Sequence, residues 1–148
     1  MKFEDIKDNP VARHAFEFAL MIEKYCSKLY EMRRYDLARQ LFRSGTSIGA
    51  NVFEAQHPES NADFIHKMKI AQKEATENLF WLMLCDHSEN YPDCKELLKK
   101  LEEISKLLSA IITTAKKNSP LSFFIGHLLF LFKPTATITL ASNLIPNA

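Results

Sequence analysis

The sequence predicts an all-α protein, an up-down-up-down four-helix bundle followed by an additional hydrophobic C-terminal tail. Three observations predict it. Apolar residues recur at spacings of three and four through four successive segments, and short Pro-, Asn- and Ser-containing turns separate those segments. One segment carries a run, Arg43-Ser-Gly-Thr-Ser-Ile-Gly-Ala-Asn51, that keeps helical spacing while presenting small residues on one face. Four amphipathic helices joined by short turns make the bundle the default architecture.

The first helix is expected over residues 10–30. Asn9 is its cap, and Pro10 stands in the first turn, where its missing N–H is no loss. Val11, Ala15, Phe18, Ile22, Cys26 and Leu29 form its apolar face. The second starts near Asp36, an N-cap candidate, and carries Leu37, Leu41, Ile48 and Val52 towards His57 before Pro58 breaks it. Gly45 and Gly49, two of only 3 glycines in the chain, lie inside this helix. Each costs roughly 1 kcal/mol against Ala in a helix. Close approach of another helix is the compensation expected at Gly45 and Gly49, and Arg43, Ser47 and Asn51 bring hydrogen bonding to that contact.

The third helix is expected over residues 60–87. Ser60-Asn-Ala-Asp63 has the form of a capping box with Asp in place of Glu. Phe64, Met68, Ala71, Ala75, Leu79 and Leu82 make the apolar stripe. A turn at residues 90–93 leads to the fourth helix, from Pro92 or Asp93 to about Lys117. Its stripe is Leu97, Leu101, Ile104, Leu108, Ile111 and Ala115, and Lys116 and Lys117 suit the negative end of the helix dipole. The bundle is thus expected over residues 1–118 and the tail over 119–148.

Residues 121–132 are almost wholly apolar, and residues 135–140 alternate like a strand. Twelve helical residues span about 18 Å, short of the roughly 30 Å hydrocarbon core, so no membrane span is expected. The tail packs on the bundle or a neighbour, or is poorly ordered; a peripheral membrane contact is the alternative.

The chain of 148 residues suits one domain, and its net charge of +1 argues against binding nucleic acid by bulk charge alone. Cys26, Cys85 and Cys94 are odd in number and lack CxxC spacing, so neither a disulfide framework nor a zinc site is indicated. With a charged N-terminus that lacks a signal-like apolar core, they point to a reduced, cytoplasmic setting.

Glu54-Ala-Gln-His57 has the Glu-x-x-His spacing of di-iron bundles, with Asp63-Phe-Ile-His66 as the nearest second copy. Such a site needs two further inward Glu residues at the same level, and both motifs flank a turn instead. No metal, cofactor or catalytic group is expected. Glu74 and Glu77 flank Ala75 on the third helix. Either they form a structural polar network with Arg43, Ser47 and Asn51, or they are a solvated pair of acids. Arg13, Lys24, Lys28, Arg33, Arg34, Lys67, Lys69 and Lys73 either line a nucleic-acid surface or form an ordinary charged exterior interspersed with acids. Trp81, with Phe80 and Leu84, is read as core or subunit interface rather than a base-stacking platform.

Ser44-Gly-Thr-Ser-Ile-Gly-Ala-Asn-Val52 with Glu54-Ala-Gln56, then Ala62-Asp-Phe-Ile-His-Lys-Met68 running on through Glu74, Glu77 and Trp81-Leu82, resembles the bacterial four-helix-bundle proteins linked to ribosomal RNA intervening sequences. The helix over residues 101–117 with its Ile111-Ile112 pair matches as well. The resemblance implies a non-enzymatic accessory protein that assembles into a ring-shaped homo-oligomer, a homopentamer. It also implies relatives among the accessory proteins of diversity-generating retroelements, and hence RNA or DNA, a reverse transcriptase or a ribosomal component as partners. Those nucleic-acid-binding relatives are distinctly basic, whereas this chain is nearly neutral. A protein–protein scaffold that never touches nucleic acid is therefore the competing expectation.

Overall fold

A computed structural model describes residues 8–118. The expected features of residues 121–132 and 135–140 lie outside the described residues. Within them the chain forms α1 (Pro10–Glu31), α2 (Tyr35–Glu54), α3 (Asn61–Asp86) and α4 (Lys95–Lys117). Each helix packs on its two neighbours in the cycle α1–α2–α3–α4–α1, and the diagonal pairs α1/α3 and α2/α4 do not meet. That pattern is the four-helix bundle the periodicity predicts.

Local chemistry sets the helix ends. The Asn9 side chain accepts from the Ala12 N–H at 3.2 Å, and its amide donates to Gln56 Oε1 at 2.6 Å, tying the start of α1 to the end of α2. α1 stops where Arg33 takes φ 58°, so that the Arg34 N–H reaches back to the Leu29 carbonyl at 2.9 Å. This closure is one that glycine usually makes. The expected cap at Asp36 is corrected: α2 is capped at Arg34 without a side-chain bond, and Asp36 lies in the first turn, where it accepts from Arg39. α2 also ends at Glu54, three residues before His57. Ser60 caps α3 by accepting from the Asp63 N–H at 3.1 Å, while the Asp63 carboxylate accepts from the Glu59 N–H at 3.2 Å, one residue outside the usual capping box. α4 begins at Lys95, whose N–H donates to Asp93 Oδ1 at 3.3 Å.

The core runs the length of the bundle. Phe18, Ile22, Leu29, Leu41, Ile48, Met68, Leu82, Leu101, Ile104 and Leu108 are all fully buried. Burying each large side chain contributes about 1.5–3 kcal/mol. Two stripe positions differ from expectation. Leu79 is exposed, and Asn78 occupies the core position between Ala75 and Leu82. In α4 the last buried position is Ile112, with Ile111 half-buried, because a straight helix of 3.6 residues per turn drifts away from a 3.5-residue stripe.

Candidate functional site

The run of small residues in α2 faces two partners. On the α1 side, a Cβ placed on Gly49 would stand 3.6 Å from the Ala15 carbonyl oxygen, so backbone meets backbone with room for one methyl group. Ala12, Ala15 and Ala38 are buried in the same seam. At Gly45 there is less space. A Cβ there would lie 2.8 Å and 3.0 Å from two branch carbons of Ile22 and 3.1 Å from Asn78 Nδ2.

Asn78 is the polar centre of the α2–α3 contact. Its amide donates to the Leu41 carbonyl at 2.9 Å and to Ser44 Oγ at 2.8 Å, and Ser44 in turn donates to the Gln40 carbonyl at 2.8 Å. Ser44 and Asn78 are the buried polar residues among the described residues, and Asn78 Oδ1 has no partner there. Sequence reasoning missed Asn78. The available signal was that both 78 and 79 keep three- and four-residue spacing between Ala75 and Leu82, and hydrophobicity favoured Leu79.

Arg43 leaves the same helix on its outer side. Its guanidinium bonds Glu77 and stands 3.6 Å from Glu74 Oε2. This hydrogen bond holds the Glu77 carboxyl below the usual carboxylate range, against a smaller opposing effect of burial. Trp81 Nε1 also donates to Glu77 at 3.4 Å. Ser47 and Asn51 form a separate pair: the Asn51 amide donates to the Ser47 carbonyl at 2.9 Å and to its hydroxyl at 3.3 Å. Thr46 likewise donates back to the Phe42 carbonyl at 2.7 Å. Of the polar groups in this run, Arg43 and Ser44 reach α3, while Thr46, Ser47 and Asn51 bond within α2.

The basic residues divide. Lys67 bonds Glu54 across the α2–α3 turn, and the Arg34 guanidinium lies 5.4 Å from the centre of the Tyr91 ring. Arg13, Lys24, Lys28, Arg33, Lys69 and Lys73 make no ion pair among the described residues. Arg13, Lys24 and Lys28 belong to α1, with Arg33 just beyond it, whereas Lys69 and Lys73 belong to α3 at the diagonal corner. These side chains are therefore divided between two corners of the bundle and are not gathered on one face.

Glu54, His57, Asp63 and His66 are not gathered into a ligand set; no described group of three or more His, Cys, Asp or Glu is placed to hold a metal ion. The three thiols are buried and unpaired. Burial pushes Cys26 up to about 12 and Cys94 up to about 11, so both stay protonated and unreactive at neutral pH. No described helix is long and apolar enough to cross a membrane.

Among the described residues, one exposed surface is apolar. Leu79, Phe80, Met83 and Leu84 are exposed on α3, with Phe80 59% accessible and edge-on to half-buried Trp81. α3 is thus apolar nearly all round through residues 79–84. Tyr30 of α1 and Phe42 of α2 border an open groove of about 490 Å³, lined also by Arg39, Arg43, Thr46, Ser47 and Ala50 of α2.

The family model described as 23S rRNA-intervening sequence protein matches residues 7–110. Among solved structures, the chain is similar to a crystal structure of a protein with unknown function from the S23 ribosomal protein family of Bacteroides thetaiotaomicron. The two are 39% identical, the match covers 69% of this chain and 97% of that one, and the TM-score is 0.66. No curated protein matches.

Proposed function

The chain belongs to the 23S rRNA-intervening sequence protein family, and on that premise we propose that it is a non-enzymatic accessory protein of the cytoplasm that self-assembles into a ring and engages RNA or a ribonucleoprotein. The observation that carries this reading is the exposed ridge of Leu79, Phe80, Met83 and Leu84. A helix that is apolar all round is a buried helix, and a contiguous apolar patch on a complete bundle marks a contact surface. Assembly also bears on nucleic acid. An assembly repeats the unpaired basic side chains of α1 and α3 in every copy, and phosphate contacts would fall on them.

The test is a titration of the purified protein with structured RNA and with duplex DNA at several salt concentrations. Micromolar or tighter binding is expected, its logarithm falling linearly with the logarithm of salt concentration, the slope counting phosphate contacts. Absence of binding at low salt would overturn the nucleic-acid part. The net charge of +1 and the Lys67–Glu54 pair favour the second reading, a protein–protein scaffold.

A further inference from the structure

We propose that the apolar run at residues 128–132, beyond the end of α4, lies against the exposed α3 ridge of its own chain and closes that surface until a partner displaces it. The inference goes beyond the contact reading above, because it gives the ridge a competitor carried by the chain itself. Leu128-Leu-Phe-Leu-Phe132 is an unbroken run of large apolar side chains. It follows residue 110, where the match to the family ends, so the family's bundle does not include it. An apolar surface as wide as Leu79, Phe80, Met83 and Leu84 calls for a cover, and an apolar run in the same chain is present at high effective concentration.

Reach, facing and charge agree with this placement. Ser109 of α4 donates to Gln72 of α3 at 3.3 Å, and the Cys94 thiol reaches the Leu82 carbonyl at 3.5 Å, which sets the two helices antiparallel. In that register Asn118 stands level with about residue 63, and Phe80 lies about 26 Å further along α3 at 1.5 Å per residue. A chain covers at most about 3.3–3.6 Å per residue, so about eight residues span that distance, and Leu128 is the tenth after Asn118. Leu79 and Met83 follow Gln72 by seven and eleven residues, so all three share the side of α3 turned towards α4. On α4 the half-buried Leu98 precedes Ser109 by eleven residues and comes level with Met83, so apolar side chains of both helices border one strip. Residues 119–148 contain Lys133 and no Asp or Glu. With Phe132 on the ridge, Lys133 arrives beside the end of α3, where Asp86 and Glu89 are exposed and Glu89 makes no ion pair among the described residues.

The test uses the full chain carrying Met83→Cys, labelled with a polar maleimide at a series of protein concentrations. The native thiols are buried and held protonated, so the label reports on position 83. Labelling is expected to be slow and independent of protein concentration. Adding Phe130→Glu and Phe132→Glu should make it several-fold faster, with helix content by circular dichroism unchanged because both residues lie outside the bundle. In a second chain, Met83→Cys with Phe130→Cys should form a disulfide within one chain on oxidation with diamide. Equally fast labelling with and without the two Phe→Glu changes would overturn the contact, and a different protein would then be the occupant of the ridge. Protection that grows with protein concentration, or a disulfide formed between chains, would also overturn it and make a second copy the occupant. Sedimentation of the same chains reads self-assembly separately. A chain that stays monomeric with position 83 protected would sink the ring reading and leave the tail contact standing, whereas an oligomeric chain with position 83 open when diluted to monomer would do the reverse.

Discussion

Replacing Gly45 and Gly49 separately by Ala should move stability in opposite directions, although both lie mid-helix in the same run. Each substitution gains roughly 1 kcal/mol of helix propensity. At Gly49 the new methyl group meets the Ala15 carbonyl oxygen at 3.6 Å, an ordinary van der Waals separation, so nothing opposes the gain. At Gly45 the methyl group would lie 2.8 Å and 3.0 Å from Ile22 and 3.1 Å from the Asn78 amide. Ile22 is β-branched and fully buried, so it has little freedom to yield. Displacing Asn78 also loosens its bonds to Leu41 and Ser44. Overpacking of this kind costs about 1–3 kcal/mol, and with the rigid Ile22 in the way the upper part of that range applies, leaving a net loss of up to about 2 kcal/mol. The expected result is a melting temperature raised by roughly 3–6 °C for Gly49→Ala and lowered, by up to about twice that amount, for Gly45→Ala. The assay is thermal and urea denaturation followed by circular dichroism, all chains at one protein concentration so that assembly contributes equally. A Gly45→Ala variant as stable as Gly49→Ala would refute the packing argument. Gly49→Leu should reverse the sign at that position, because a larger side chain forces α1 and α2 apart.

Asn78→Ala should destabilise the bundle by about 1–3 kcal/mol, since it removes both bonds of a buried amide and leaves a small void; urea denaturation midpoints measure it, and no shift would show that the unpartnered Oδ1 already cancels the benefit. Glu77 gives a pH dependence of known sign. Its carboxyl titrates lower in the folded chain than in the unfolded chain, so the unfolded state binds more protons between the two values. The Arg43–Glu77 contribution is therefore complete above the usual glutamate range of about 4.3 and is lost as pH falls through the folded value. Stability measured from pH 6 to pH 3 should accordingly fall less steeply in Glu77→Gln than in the native chain; parallel curves would refute it.

Much of the fold was legible in the sequence because helix periodicity and punctuation are local properties. The α1 stripe of Val11, Ala15, Phe18, Ile22, Cys26 and Leu29 is buried throughout, and Asn9, Pro10 and Ser60 act where their chemistry places them. Errors arose where two local readings were equally good. Residues 78 and 79 fit the same spacing, and only the position of α2 against α3 decided that an amide bonded to Leu41 and Ser44 goes inside while Leu79 goes out. Asp36 resembles a cap by residue type, but the chain reverses at Arg33, one turn earlier than a cap at Asp36 requires.

The small-residue run shows the same division. Ser, Thr and Asn in a helix announce hydrogen bonds without naming their partners, and Thr46, Ser47 and Asn51 satisfy themselves within α2 while Ser44 alone of the hydroxyls crosses to α3. By itself the sequence determined helix number, order, approximate ends and most of the core, because each depends on neighbours within four residues. Tertiary structure decided which glycine lies against a neighbouring side chain with no room for a Cβ, which acids Arg43 pairs with, that the basic residues split between diagonal corners, and that Leu79, Phe80, Met83 and Leu84 are left exposed. These depend on the angular setting of one helix against another, which is fixed by packing between segments distant in the chain.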